Sequence, residues 1–359
     1  MGYSAAAVVM CRRGSEVRAA VIAVALSVVV PLSVLLSLGW AQPEVAVVVA
    51  SAQRVFTTGH LYPPAPVMVD DYNPYLPAMA LFGVPRTLLP GSMFGDPRLW
   101  FGGFFVACVL AAVIIVRPAG LDRVVASRLG LLIASPLVAI AITTGGVDLP
   151  VVGAGVLGFA LLASGRNRWA ALALAIACAT KWTAWPLLPV AIAWHAHRSG
   201  LQPAMRMGIL TAGLTAVCVI PAAAVDLHGL VTHTLLFPLG LAALPTPAGS
   251  SLIGGTLDRL GVGGHLLTLA LLTTAGAAIA RRLWRRPPTG FAAACSIAAA
   301  GFLALFLLAP ASRFGYFVLP LTLWAMAALA DASDTRLRPT SEHHRAGPAE
   351  TRQPSLAPG

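Results

Sequence analysis

Long apolar runs dominate this chain and restrict the folds open to it. Of its 359 residues, 58% are hydrophobic and 10% are charged, a composition that excludes a soluble globular protein. A helix that crosses a bilayer core needs about 20 apolar residues. Ten segments approach that length: 19–40, 99–116, 129–144, 150–164, 169–180, 183–196, 207–224, 265–280, 290–309 and 315–330. Since the runs are continuous rather than alternating, they predict helices and not barrel strands.

The predicted fold is therefore an all-α integral membrane protein with about ten transmembrane helices. The hairpin at 169–196 is short, so it is open to two interpretations, two full spans or a re-entrant segment. The membrane domain is predicted to cover residues 19–330. The tail at 331–359 is rich in Arg, Pro, Ser, Glu and His, which is typical of disorder.

Basic residues predict the orientation of these helices. With a cytoplasmic N-terminus at 1–18, 18 of the 24 Lys and Arg residues fall on cytoplasmic segments, as the positive-inside rule requires. Six lie on the other side: Arg54, Arg86, Arg98, Lys181, Arg259 and Arg313. The net charge of +11 is thus explained by topology and requires no nucleic-acid partner. Both termini are expected in the cytoplasm of a plasma-membrane protein, with two long outer loops at 41–98 and 225–264.

The first outer loop concentrates acidic and aromatic residues directly after the first span. Glu44 comes about one helical turn after that span, and Asp70 and Asp71 stand beside Tyr72 and Tyr75. A carboxylate at the interface can act as general base toward a hydroxyl group, and tyrosine rings are suited to holding a sugar. Each carboxylate is equally open to interpretation as a solvated loop charge.

Isolated charges elsewhere on the outer side are candidates for binding phosphate. Lys181 is the only lysine, at a predicted outer turn, where it can pair with phosphate or snorkel to the interface. Arg313, before the last span, can bind a phosphate or pair with Asp148 in another outer turn. His233 in the second outer loop is a weaker binding candidate. No spacing of His, Cys or acidic residues indicates a metal site, and neither a metal nor another cofactor is expected.

Four groups of residues carry a resemblance to a known family. They are Glu44 with Ala50, Ala52, Gly59 and Tyr62; Asp71–Pro77 followed by Phe82–Pro85; the Gly-x-x-Leu-Pro turn ending at Pro150 with Ala179–Thr183; and Arg313–Tyr316. Together they resemble the GT-C superfamily of membrane glycosyltransferases. More closely, they resemble glycosyltransferase family 87, which includes actinobacterial polyprenyl-phosphate-mannose-dependent α-mannosyltransferases. The resemblance spans most of residues 20–330.

The resemblance implies a GT-C-like fold and a hexosyl, possibly mannosyl, transfer at the outer face of the membrane. The donor would be a polyprenyl-phosphate sugar, and the acceptor a lipid or a glycan. It implies inversion with one carboxylate of the first outer loop as general base, here Glu44. The family usually has Asp followed by Tyr at that place, so Asp70 and Asp71 stay as alternatives. Lys181 and Arg313 take the positions that bind phosphate.

Two other functions remain open from the sequence. One is a transporter or flippase of a lipid-linked envelope intermediate, and the other is a non-catalytic membrane scaffold. A transporter typically carries charged or broken helices near mid-membrane, whereas the charges of this chain cluster at the ends of its predicted spans. A scaffold would tolerate the loss of Glu44, Asp70, Asp71 and Lys181.

Overall fold

The structure is a computed structural model that describes residues 15–117, 120–244 and 249–334. Within these ranges the regular secondary structure is helical throughout, apart from one isolated bridge between Gly249 and Ala311. The helices are α1 (Glu16–Ser37), α2 (Pro43–Thr58), α3 (Val84–Leu88), α4 (Pro97–Val116), α5 (Arg123–Ala134), α6 (Pro136–Thr144), α7 (Leu149–Ala163), α8 (Asn167–Thr180), α9 (Leu187–Ser199), α10 (Leu201–Val225), α11 (Leu227–Val231), α12 (Ile253–Asp258), α13 (Val262–Arg285), α14 (Phe291–Leu308) and α15 (Val318–Asp334). A π-helical turn at Ala25–Val29 interrupts α1.

Several of the helices are long and apolar enough to cross a bilayer, so the predicted all-α membrane architecture is confirmed. Among the described residues, α1, α4, α10, α13 and α14 meet the length and composition on their own. The pair α5–α6, bent by 60° at Ser135, would make a sixth if it counts as one span. The α7 helix and the segment Phe314–Ala330 are shorter apolar helices. The number of ten spans stays a prediction.

The centre of the fold is α7, which is buried along nearly its whole length. Three glycines let neighbouring helices approach it closely. A Cβ added at Gly153 would lie 3.0 Å from the Cα of Phe105 in α4, and one at Gly155 would lie 2.6 Å from Leu187 in α9. Small residues of this kind allow close helix packing where lipid offers no hydrophobic driving force.

The α8–α9 hairpin lies inside the bundle. Most of α8 is buried, and with 14 residues it is about 21 Å long, less than the roughly 30 Å of a bilayer core. Its C-terminal end therefore stops within the protein, where its last carbonyl, of Thr180, accepts a hydrogen bond from the Leu76 amide at 3.0 Å. This contact ties the 41–98 segment to the helical core.

The 41–98 segment, predicted as a loop, is in large part helical. It opens with α2, which has Pro43 at its first position and ends at Gly59 with a φ of 75°, a left-handed cap that favours glycine. The turn of 3₁₀ helix at Pro77–Gly83 packs on α2 so closely that a Cβ at Gly83 would lie 2.9 Å from Ala52 Cβ. The sequence does not distinguish α2 from a loop, because its apolar run is short and its flanks are rich in proline.

The start of α2 is fastened to the turn between α6 and α7. The Gln42 amide donates to the Thr144 carbonyl at 3.0 Å, and the Gln42 side chain donates to the carbonyl of Gly145. Gly145 has a φ of 97° and lies against Val45 and Arg98. Three elements thus meet at one glycine.

Replacement of Gly145 by alanine is expected to destabilise the fold. The residue needs a positive φ, and a Cβ there would lie 2.9 Å from Arg98 Cγ and even closer to Val45. We expect a loss of about 2 kcal/mol or more, measured as a lower thermal unfolding midpoint in detergent. Gly103→Ala is the matched control, because Gly103 lies within α4 with open space at its Cβ position. Equal midpoints for the two variants would contradict this account.

Candidate functional site

Glu44 lies in the first turn of α2, where the positive end of the helix dipole favours an acidic side chain. Its carboxylate forms an ion pair with the guanidinium of Arg313. Arg313 belongs to the turn that precedes α15, far away in sequence. The side chain of Glu44 is 18% exposed and that of Arg313 is 38% exposed, so the pair borders solvent rather than lying in the core.

Lys181 forms the second ion pair, with Asp148. The Lys181 Nζ lies 2.6 Å from Asp148 Oδ1, and both side chains are largely buried. Lys181 follows the last residue of α8 in an extended conformation, and Asp148 directly precedes α7. Burial lowers the pKa of Lys181, but the Asp148 carboxylate and Tyr316 outweigh this effect and leave the pKa raised. The ammonium group is therefore held in its charged form.

Tyr316 connects the two ion pairs. Its ring centroid lies 4.3 Å from Lys181 Nζ, a cation–π distance, and its amide donates to the carbonyl of Arg313 at 3.0 Å. We call the four residues Glu44, Asp148, Lys181 and Arg313 the charge cluster. Its members come from the ends of α2, α7 and α8 and from the turn before α15, and its formal charge is zero.

Asp148, one of the two partners predicted for Arg313, is not its ion-pair partner in the structure. Asp148 instead accepts from Lys181, and Arg313 pairs with Glu44. The sequence could not distinguish these pairings, because all four residues lie in separate turns whose relative positions depend on how the helices pack. Sequence reasoning also assigned no role to Tyr316, although its aromatic ring beside an isolated arginine was a usable signal.

A buried hydroxyl group next to Arg313 has no partner. Ser312 Oγ makes no hydrogen bond within the part of the chain that the structure describes, and Ser312 is 7% exposed. Buried polar groups are nearly always hydrogen-bonded, so such an exception indicates a water molecule or a ligand at that position. Ser312, one residue before Arg313, is thus a buried hydroxyl group with hydrogen-bonding capacity to spare among the described residues.

Arg98 is a buried arginine that sequence analysis placed on the outer side without a role. Its Nε and Nη2 donate to the two Asp96 carboxylate oxygens, each at 2.9 Å. Its Nη1 donates to the carbonyl of Trp40. The Asp96 contacts fix the Arg98 side chain at the start of α4, and the Trp40 contact holds that start against the segment after α1, so Arg98 is a structural residue.

Asp70 and Asp71 take no part in the ion pairs of the charge cluster and lie in a short 3₁₀ turn, Val69–Asp71, beside α2. The Asp71 carboxylate accepts from the backbone amides of Met68 at 2.8 Å and of Val67 at 2.9 Å, and these bonds lower its pKa. Both aspartates line an open cavity of about 400 Å³ that also touches Arg54. Asp71 is thus a strongly ionised group that fixes its loop.

Tyr72 and Tyr75, predicted to hold a sugar, are both 3% exposed and pack inside the protein. Tyr72 stacks on Phe237 with ring centroids 4.0 Å apart. Tyr75 lies 5.9 Å from Lys181 Nζ, and burial raises the pKa of its hydroxyl group. Neither ring presents a face to a sugar in this structure, because the apolar surface of the 41–98 segment is used to pack it onto the bundle.

His233 joins the 41–98 segment to the 225–264 segment. Its Nδ1 accepts from the Asn73 amide at 3.1 Å, so the neutral ring carries its proton on Nε2, which donates to the Pro63 carbonyl at 3.0 Å. The ring stacks on Tyr62 and contacts Tyr72. His233 is 1% exposed, so its role here is to hold the two segments together rather than to bind a ligand.

Within the described residues, no group of three or more His, Cys, Asp or Glu side chains is arranged to hold a metal ion. The site contains two carboxylates and two cations, and Ser312 lies in the same turn as Arg313.

Removing one partner of the Lys181–Asp148 ion pair is expected to destabilise the protein more than removing both partners. Lys181→Met leaves the Asp148 carboxylate largely buried and unpaired, which we expect to destabilise the protein by about 3 kcal/mol. The double variant Lys181→Met/Asp148→Asn has no stranded charge and should recover part of that loss. Thermal unfolding in detergent measures both, and a double variant less stable than the single one would contradict the pairing.

Acidification is expected to weaken the contact at His233. Burial keeps the pKa of His233 below its usual 6.5, so the unfolded chain binds a proton that the folded chain does not. The stability that depends on the neutral ring is complete above about pH 6.5 and is lost as the pH falls through the lower folded pKa. The unfolding midpoint of the wild type should drop between pH 7 and pH 5 by more than that of His233→Gln. His228→Gln, at an exposed position, should keep the pH dependence of the wild type; a parallel drop in all three proteins would refute the assignment.

Comparison with known proteins finds a similar solved structure but no match by sequence. No protein-family model matches the chain, and no curated protein sequence matches it. The crystal structure of ArnT from Cupriavidus metallidurans bound to undecaprenyl phosphate superposes with a TM-score of 0.56. The match covers 89% of this chain and 60% of the ArnT chain at 16% identity, so this chain spans less than two thirds of ArnT. At such low identity the likeness concerns the fold, and the chain has an all-α membrane fold similar to that of ArnT.

Proposed function

We propose that this protein is a membrane glycosyltransferase that uses a polyprenyl-phosphate sugar. The observation that carries the proposal is the charge cluster, in which two cations, each paired with a carboxylate, lie near helix ends of a GT-C-like fold. ArnT, which shares that fold, is a glycosyltransferase whose structure contains undecaprenyl phosphate. The sugar is a hexose, and mannose is favoured by the resemblance to family 87.

Lys181 and Arg313 are the proposed phosphate-binding residues. When the bond between the anomeric carbon and the phosphate oxygen breaks, its electron pair stays with the leaving polyprenyl phosphate, which gains a negative charge. Cations already fixed in place stabilise that charge without reorganisation at the moment of reaction. The unpartnered Ser312 hydroxyl group beside Arg313 supports a phosphate at this position, since it supplies a further donor.

Glu44 is the proposed general base. It takes the proton of the acceptor hydroxyl group as that oxygen forms its bond to the anomeric carbon, on the face opposite the phosphate, which gives inversion. A carboxylate paired with a guanidinium is a weaker base than one that is not. A donor phosphate that binds Arg313 would compete with Glu44 for it, so donor binding itself would free the base.

The reaction is proposed to occur on the outer face of the membrane. Lys181 and Arg313 are among the few basic residues that the positive-inside rule leaves there. The acceptor is a lipid or a glycan in that compartment.

Glu44→Gln is expected to lower sugar transfer by at least about 100-fold, the usual contribution of a general base. The assay uses the full chain in lipid nanodiscs, radiolabelled polyprenyl-phosphate-mannose and a membrane lipid extract as acceptor. Binding of undecaprenyl phosphate should persist in Glu44→Gln and weaken in Lys181→Met and Arg313→Gln. Asp258→Asn is the control, because Asp258 is an exposed carboxylate that pairs with His265 outside the charge cluster.

Other outcomes would assign the chemistry differently. Full transfer by Glu44→Gln together with its loss in Asp70→Asn or Asp71→Asn would assign the base to that aspartate instead. No transfer from any polyprenyl-phosphate hexose by the folded protein would overturn the proposal. Movement of a lipid-linked substrate across the membrane of proteoliposomes that contain the protein, without sugar transfer, would identify a flippase instead.

A further inference from the structure

The open cavity of about 400 Å³ beside α2 follows one face of that helix. Five of its lining residues are spaced along one face of α2, and two more come from the loop that folds over it: Pro43, Ala46, Val47, Ala50, Arg54, Asp70 and Asp71. From Pro43 to Arg54 the helix rises about 16 Å. The cavity is thus elongated, and it is longer than a single hexose ring.

The two ends of the cavity differ in chemistry. The end near the start of α2 is formed by Pro43, Ala46 and Val47 and is apolar. Ala46 and Ala50 have short side chains, which leaves a groove along the helix rather than a filled surface. The far end carries one guanidinium and two carboxylates, a composition that binds hydroxyl groups and not aliphatic chains.

The polar end is held in place and keeps unused hydrogen-bonding capacity. Arg54 Nη1 donates to the Leu61 carbonyl at 3.0 Å, and one oxygen of Asp71 accepts the two backbone amides described above. The Asp70 carboxylate is exposed, and among the described residues it accepts no hydrogen bond. Carboxylates with free lone pairs are strong acceptors for sugar hydroxyl groups.

Glu44 follows Pro43 in the first turn of α2, so the proposed base and the apolar end of the cavity lie at the same end of that helix. We propose that this cavity binds the acceptor, and that the acceptor is a glycan of at least two hexose rings. The reacting ring lies with its apolar face on Ala46 and Ala50 and its hydroxyl group toward Glu44. The second ring is bound by Asp70, Asp71 and Arg54. This inference rests on the proposed function, because it takes Glu44 as the base.

The separation between the base and the polar end gives the site its specificity. A single hexose placed near Glu44 cannot also reach Arg54, which lies about 15 Å further along α2. Only an acceptor that extends along α2 uses both ends. The cavity therefore selects acceptors by glycan length. Asp70, Asp71 and Arg54 are binding residues in this proposal, not bases.

The test compares binding of mono- and disaccharides to the full chain in nanodiscs that contain undecaprenyl phosphate. The probes are methyl mannoside with methyl mannobioside, and methyl glucoside with methyl maltoside, titrated by saturation-transfer NMR. We expect at least one disaccharide to bind about 10-fold tighter than its monosaccharide. Asp70→Asn and Arg54→Gln should reduce that preference to less than about 3-fold, because they weaken the binding of the second ring.

Ala50→Leu tests the groove without changing a charge. A larger side chain at Ala50 should block both probes, whereas Gln53→Leu, on the same helix but outside the cavity lining, should leave the binding of both as in the wild type. The absence of a disaccharide preference in the wild type, or equal effects of Ala50→Leu and Gln53→Leu, would overturn the inference.

Undecaprenyl phosphate binding is measured in the same nanodiscs, which separates the two proposals. A protein that binds undecaprenyl phosphate and transfers sugar, yet shows no disaccharide preference, would refute the acceptor site alone. A protein that shows the preference but neither binds undecaprenyl phosphate nor transfers sugar would refute the proposed function and the acceptor role, leaving a glycan-binding site.

Discussion

Charge compensation at the helix ends is the constraint on which the rest of this structure depends. Lys181 is almost fully buried and stays charged because Asp148 lies 2.6 Å from it and Tyr316 covers it. Charges removed from water are tolerated only when they are paired and hydrogen-bonded. Four separate turns must therefore meet at one place, and the packing of α7 against its neighbours, made close by its glycines, is what brings them together.

The same compensation connects stability to the proposed chemistry. An uncharged ligand has little to gain from a cluster whose formal charge is zero, but a phosphate can exchange with a carboxylate as the partner of Arg313. The buried Ser312 hydroxyl group, which lacks a partner within the described residues, offers such a phosphate another contact. In this account a single exchange of ion pairs binds the donor and releases Glu44 as the base, so catalytic competence follows donor binding.

The 41–98 segment has two faces with different tasks. One face is fastened to the protein through the Leu76–Thr180 hydrogen bond, the stacking of Tyr72 on Phe237, and His233. The other face forms the cavity along α2. Glu44, at the start of α2, lies where the two meet. The aromatic residues that resemble a sugar platform in the sequence thus supply the anchoring, and the carboxylates beside them supply the open surface.

Composition and the lengths of the apolar runs determined the all-α membrane class, because a bilayer imposes its thickness directly on sequence. The sequence also singled out Glu44, Asp148, Lys181 and Arg313, since isolated charges beside apolar spans are rare. It could not decide their pairing, the inward position of the α8–α9 hairpin, or the burial of Tyr72 and Tyr75. Those features depend on contacts between residues distant along the chain, such as Glu44 with Arg313, and local periodicity contains no information about which turns meet. Only the tertiary structure decides them, because helix packing places the turns relative to one another.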